Sequence, residues 1–228
     1  MRLTSSCKLL CIGDSITDCN RARPVGEGLF DAIGKHGWVR EVDGLLQAVY
    51  PELAVRVVNQ GISGNTVRDL AGRWQTDVLD LKPNWLAVMI GTNDIWRQFD
   101  TPFQREWAVD LEEYRSTYGS LLAKTRPGLD GLVLMTPFYI GNDRSDPMRR
   151  QIDAYSAVVR DLAQRHDALY VDTQAVMDRL TACFHPTAIA WDRIHPTHVG
   201  HVAIAREFLE AIGFDWRHDR DVARFATR

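Results

Sequence analysis

No apolar run in this sequence approaches the ~20 consecutive residues that a membrane-crossing helix needs. The apolar run nearest the N-terminus, Leu9 to Ile12, is too short for the core of a secretory signal. Cys7 follows two serines, but the polar and mixed residues before it cannot form the apolar segment of a lipoprotein cleavage site. These absences predict a chain that is not exported, does not bind membrane and works in the cytoplasm. An excess of one charge sign is lacking too. The 27 Lys and Arg against 30 Asp and Glu leave a net charge of -3, without the basic clusters that nucleic acid or an anionic bilayer would call for. Cysteine is scarce: Cys7, Cys11, Cys19 and Cys183 form no CxxC pair and show no zinc-ligand spacing. They read as free, buried or half-buried thiols in a reducing compartment.

What is present is an ordinary globular composition, 45% hydrophobic and 25% charged. Short apolar runs at 9–12, 55–58, 85–90, 132–135 and 169–171 predict five strands. Most lack clean alternation, as expected of a parallel sheet covered on both faces. Arg56 requires the second strand to lie at an edge or to expose a face. Between the strands, Trp38, Val42, Leu45, Leu46 and Val49 repeat at helical spacing until Pro51, and Val67, Leu70, Ala71, Trp74 and Val78 repeat after a cap at Asn65 or Thr66. Further helices are expected near 103–125, 148–166 and 174–182. The last should run from Val199 to Ile212 between a Thr197 cap and a Gly213 stop. This alternation predicts an α/β fold, a three-layer α/β/α sandwich around a five-stranded parallel sheet. With no linker or repeat, residues 1–228 read as one domain. Loops 18–37 and 137–147 are long. The charged tail 215–228 reads either as a frayed end or as an arm on a partner subunit, which leaves a homo-oligomer open.

Polar residues gather where such sheets bind ligands, at the carboxyl ends of the strands. The first strand runs into Gly13-Asp14-Ser15, the second toward Gly64-Asn65-Thr66, and the third into Gly91-Thr92-Asn93-Asp94. Beyond the fifth lies Asp192-Arg193-Ile194-His195-Pro196. Each segment alone reads equally well as a turn and helix cap; four at strand ends make four unrelated turns the poorer account. A serine hydroxyl is a weak nucleophile until a base takes its proton. His195 can be that base for Ser15, and Asp192, three residues earlier, can hold the other ring nitrogen. The oxyanion of an acyl-transfer intermediate needs donors, and the N–H groups of Ser15 and Gly64 with the Asn93 side-chain amide form the natural set. Asp14 and Asp94 are expected to hold their loops through backbone amides.

These four blocks, spanning residues 13 to 196, resemble the SGNH (GDSL-motif) hydrolase family, named for a Ser, a Gly, an Asn and a His that match Ser15, Gly64, Asn93 and His195. Asp192 falls in its DxxH block, and Ile16 stands where the motif name has Leu. The resemblance implies a flavodoxin-like fold and a serine esterase that uses no cofactor and no metal. The stretches 12–24, 93–98, 135–140 and 190–196 are similar to those of bacterial intracellular acetyl-xylan esterases of that family, which implies a small acetylated carbohydrate as substrate.

Trp191, beside Asp192, is expected to wall the pocket. Tyr139 is a second substrate-binding candidate, while Trp96 and Phe138 read as evenly pocket or core. His195, His198 and His201 recur every three residues beside Asp192 and invite a metal, but Pro196 keeps His195 off the helix. His198 and His201 then fall on an exposed or partly buried face. Arg21, Arg23 and Arg97 are candidates for the lining of a sugar-binding mouth, but each alone reads better as a solvated side chain. Two rivals stay open: a thioesterase or lysophospholipase-like esterase for longer acyl chains, and a non-catalytic flavodoxin-like binding module.

Overall fold

In the computed structural model, which describes residues 1–28 and 30–218, five parallel strands form one sheet in the order β2-β1-β3-β4-β5. They are β1 (Lys8–Gly13), β2 (Arg56–Gly61), β3 (Trp85–Met89), β4 (Gly131–Met135) and β5 (Leu169–Val171). The helices are α1 (Ser15–Asp18), α2 (Trp38–Val49), α3 (Val67–Trp74), α4 (Thr92–Asp100), α5 (Leu111–Thr125), α6 (Pro147–Arg165), α7 (Thr173–Thr181), α8 (Pro186–Ile189) and α9 (His198–Ala211). Helices α2, α7 and α9 pack together on one face, and α3, α4, α5 and α6 on the other. All five expected strands are present in the expected sandwich.

The strand interiors are apolar because both faces are covered: β3 and β4 are buried throughout. On the α2 face, Trp38, Val42 and Leu46 are buried, and Trp38 packs on Phe208 of α9 at 5.4 Å between ring centroids. Each such side chain contributes roughly 1.5–3 kcal/mol of burial. Strand β2 is an edge, and its exposed Arg56 ion-pairs with Glu27. It runs on through Asn59-Gln60-Gly61, expected as loop, because Asn59 and Gly61 keep register with Cys11 and Gly13 of β1. The buried Asn59 amide then donates to the carbonyls of Thr17 and Ile33.

The helix expected over 103–125 begins only at Leu111, where the Asp110 side chain accepts from the Glu113 N–H. The segment before it holds a single 3₁₀ turn, Arg105–Trp107. Residues 75–79, expected to continue α3, form a π-helical turn. The sheet order places the switch point between β1 and β3, which leave it in opposite directions. Ligand crevices form at that position in open α/β sheets, and Ser15 and Asn93 follow those two strands. Of the tail, 219–228 lie outside the described residues. His218 stacks on Tyr50 at 4.0 Å, and the Asp215 N–H donates to the Tyr50 hydroxyl.

Candidate active site

Ser15 opens α1, a single turn whose N-cap is Asp14; the Asp14 carboxylate accepts from the Ile16 N–H at 3.0 Å. This short turn lifts the Ser15 side chain off the end of β1 toward the 192–195 loop. There Ser15 Oγ lies 2.8 Å from His195 Nε2. On the ring's other side, His195 Nδ1 lies 2.6 Å from Asp192 Oδ2. Asp192 Oδ1 accepts from the backbone N–H of Ile194 and His195, at 3.0 and 2.8 Å, and so closes the turn that presents the ring. Burial pushes the Asp192 carboxyl up, but the His195 ring and those two amides outweigh it and hold the group below the usual carboxylate range. An ionised carboxylate only accepts, so Nδ1 carries the ring proton and the Nε2 lone pair faces the Ser15 hydroxyl. Trp96 stands edge-on to His195 at 5.8 Å, which places it in the site wall.

Gly64 has φ +84°, a left-handed conformation that favours glycine, and a side chain there would point into open space. Among the described residues nothing accepts from the Ser15 or Gly64 N–H. Asn93, in the first turn of α4, donates one Nδ2 hydrogen to the Asn65 carbonyl at 3.0 Å, which leaves its second for the site. The Asp94 side chain accepts from the Val67 N–H at 3.0 Å, pinning the start of α3 to that of α4. Burial pushes Asp14 up to about 6 and Asp94 up to about 7. From Gly64 a cavity of about 380 Å³ runs past Thr66 and Arg97 to Trp107. Trp191 is 83% exposed beside Asp192. Tyr139 is buried, its hydroxyl donating to Asp146 and its ring under the Arg193 guanidinium. Phe138 lies in the core.

Several supporting side chains escaped the sequence reading. Asp18 Oδ2 accepts from the Ser63 N–H and hydroxyl and from Arg23, tying the Gly64 loop to α1. Arg73 donates to Asn65 Oδ1, to the strand-end carbonyls of Gln60 and Gly13, and to Asp77. Arg21, expected in solvent, is only 4% exposed and donates to the carbonyls of Gly61, Ala22 and Pro24; burial lowers it to about 10. The histidine triplet does not converge. His195 faces Ser15, His198 turns to Glu41 at 3.8 Å, and His201, expected on an exposed or partly buried face, is only 4% exposed because its side of α9 faces Cys19. Cys183, expected buried or half-buried, is exposed in the short segment between α7 and α8.

Comparison with known proteins agrees with this geometry. Residues 11–203 match the GDSL-like lipase/acylhydrolase family. The chain is 55% identical to an acetylxylan esterase of Geobacillus stearothermophilus over 220 residues, 96% of this chain and all of that one. The crystal structure of that esterase superimposes with a TM-score of 0.93, at 56% identity over 95% of this chain and 98% of the other. An α/β hydrolase from the metagenome of Lake Arreo, Spain, superimposes with a TM-score of 0.91, at 49% identity over 94% and 98%. With a family match over most of its length and a relative aligned nearly end to end, the chain belongs to the GDSL-like lipase/acylhydrolase family.

Proposed function

We propose that the chain is a carbohydrate O-acetyl esterase that removes acetyl groups from acetylated xylo-oligosaccharides through an acetyl-serine intermediate. The observation that carries the reaction is the hydrogen-bonded series Ser15–His195–Asp192, at 2.8 and 2.6 Å. In this reading Ser15 Oγ attacks the acetyl carbonyl carbon while His195 Nε2 takes its proton. The N–H groups of Ser15 and Gly64 and the Asn93 amide receive the oxyanion. The imidazolium, held by Asp192, then gives the proton to the sugar oxygen as its bond to the acetyl carbon breaks. Water, deprotonated by the same ring, attacks the acetyl-serine, and acetate leaves. No step calls for a cofactor.

The likeness to an acetylxylan esterase along the whole chain supports the substrate. The exposed face of Trp191 suits the apolar face of a sugar ring, and Tyr139 would act from beneath Arg193. Residues 1–228 are read as one hydrolase domain acting in the cytoplasm. No helix of the described residues is long and apolar enough to cross a membrane. The test is acetate release from acetylated xylo-oligosaccharides, acetylated glucosides and acetylated chitin fragments, run beside a series of p-nitrophenyl esters. Preference for the xylo-oligosaccharides and collapse of turnover beyond propionate is the expected result. Equal or faster turnover of long acyl esters would transfer the reading to a thioesterase or lysophospholipase-like enzyme.

A further inference from the structure

At the end of the nucleophile turn the fold collects three metal-ligating side chains from distant parts of the chain. Cys19 closes α1, and its backbone N–H donates to the Ser15 carbonyl. His36 lies in the loop before α2, and His201 in the second turn of α9. One ligand atom from each lies within 4.8 Å of the others. Cys19 Sγ and His201 Nε2 are 3.9 Å apart, and the two imidazoles meet edge-on at 5.9 Å.

The Cys19–His201 spacing is close to that of a metal site. With Zn–S near 2.3 Å and Zn–N near 2.0–2.1 Å, a tetrahedral centre sets its sulfur and nitrogen ligands about 3.6 Å apart. A few tenths of an ångström of side-chain movement separates the observed pair from that value. The donor set, one sulfur and two imidazoles, is the soft-to-borderline set that selects zinc over the alkaline-earth ions.

A second observation concerns His201 itself. Its ring is buried, and among the described residues Nδ1 has no hydrogen-bond partner and Nε2 meets only the Cys19 sulfur. Buried polar groups are normally satisfied, so an imidazole with no oxygen partner on either nitrogen asks for a ligand. The backbone leaves room for these groups as well. A side chain at position 37 would sit 2.4 Å from Cys19 Sγ, and Gly37, at φ +107°, carries none. His36 is exposed and gives the cluster its access to solvent.

We propose that Cys19, His36 and His201 form a binding site for zinc(II), held by one thiolate and two neutral imidazoles, with the fourth position open to solvent. On binding, the Sγ–H bond breaks, its proton passes to solvent, and a Zn–S bond forms. The ion would tie the end of α1, the loop before α2 and helix α9 together.

The test is a titration of the chelator-treated full chain with cobalt(II), whose bond to a thiolate gives a near-ultraviolet charge-transfer band, followed by displacement with zinc(II). Wild type and Cys183→Ser should both show the band, and Cys19→Ser should lose it. His36→Ala, at an exposed position where folding is not at stake, should weaken zinc(II) binding at least tenfold and reduce the zinc-dependent rise in thermal midpoint. A band that persists in Cys19→Ser, a band that vanishes in Cys183→Ser, or equal zinc(II) affinity in wild type and His36→Ala would each overturn the assignment.

Discussion

Ser15 and His195 stand 180 positions apart in sequence and 2.8 Å apart in space. The value of that contact lies in its polarity. Because Asp192 fixes the proton on Nδ1, the ring offers Ser15 a lone pair. Three substitutions separate the parts. Ser15→Ala should leave a folded protein with kcat reduced by several orders of magnitude, since only binding and oxyanion stabilisation would remain; near-normal turnover would remove Ser15 as nucleophile. Asn93→Ala should lower kcat by about 10²–10³ with little change in KM, as expected of a donor used mainly in the transition state. A rise in KM alone would make Asn93 a ground-state contact. Asp192→Asn should cut kcat by about 10⁴, and a pH–rate profile should show no recovery at alkaline pH, because an amide neither fixes the tautomer nor stabilises the imidazolium. Full alkaline recovery would show that Asp192 only tunes a pKa. Ser15, Gly64, Asn93, Asp192 and His195 were legible in sequence because the chemistry demands their residue types and each falls at or beyond a strand end. Arg21, Arg73 and Asp18 were not. Arg21 bonds to three backbone carbonyls and Arg73 to two, and such acceptors leave no trace in the sequence. The Cys19, His36 and His201 cluster was equally hidden, since no ligand spacing connects its members.

At the scale of elements, the strands and most helices follow the hydrophobic pattern, and the exceptions sit at the site. Helix α4 escaped notice because its first turn buries Thr92, Asn93 and Asp94. Buried polar residues erase the apolar period by which a helix is recognised, so the demands of the site conceal the element that carries it. The start at Leu111 was misplaced for the opposite reason: Asp110 is a good cap, but apolar residues at 103, 107 and 108 carried the pattern past it. Elements are also held in place by single side chains. Arg73 of α3 grips the ends of β1 and β2 and the Asn65 side chain, next to Gly64. Arg73→Ala should cost about 1–3 kcal/mol from the hydrogen bonds lost at its four acceptors. It should also lower kcat by roughly ten- to a hundredfold as the Gly64 loop shifts. Arg73→Lys should recover only part of either loss, because one ammonium cannot replace a fork that serves four acceptors. Unchanged kcat in a variant with lowered thermal midpoint would confine Arg73 to stability.

For the whole molecule, the site charges stability in a way that pH exposes. Asp18 and Asp192 are held below the usual carboxylate range: burial pushes each up, but hydrogen bonds from Arg23 and Ser63, and from His195 and its loop, prevail. Groups of this kind contribute stability above their unfolded pKa and lose it as pH falls through the folded one. Asp14 and Asp94 act in the other direction. Burial pushes them up to about 6 and about 7, so between about pH 4 and pH 7 the folded chain holds protons that the unfolded chain has released. Stability must therefore fall across that window on their account, and the loss is complete above the folded pKa. Asp94 Oδ2 is buried without a partner among the described residues, a place where a proton costs less than a charge. Asp94→Asn keeps the oxygen that accepts from the Val67 N–H and removes the ionisation. Its thermal midpoint should gain on wild type as pH rises from 4.5 to 7.5, by on the order of 2 kcal/mol of stability across the window. The measurement is a pair of unfolding series over that range in one buffer system. Parallel curves would mean that Asp94 is ionised in the folded protein at pH 4.5, and that its buried charge is stabilised by more than the single amide it accepts from.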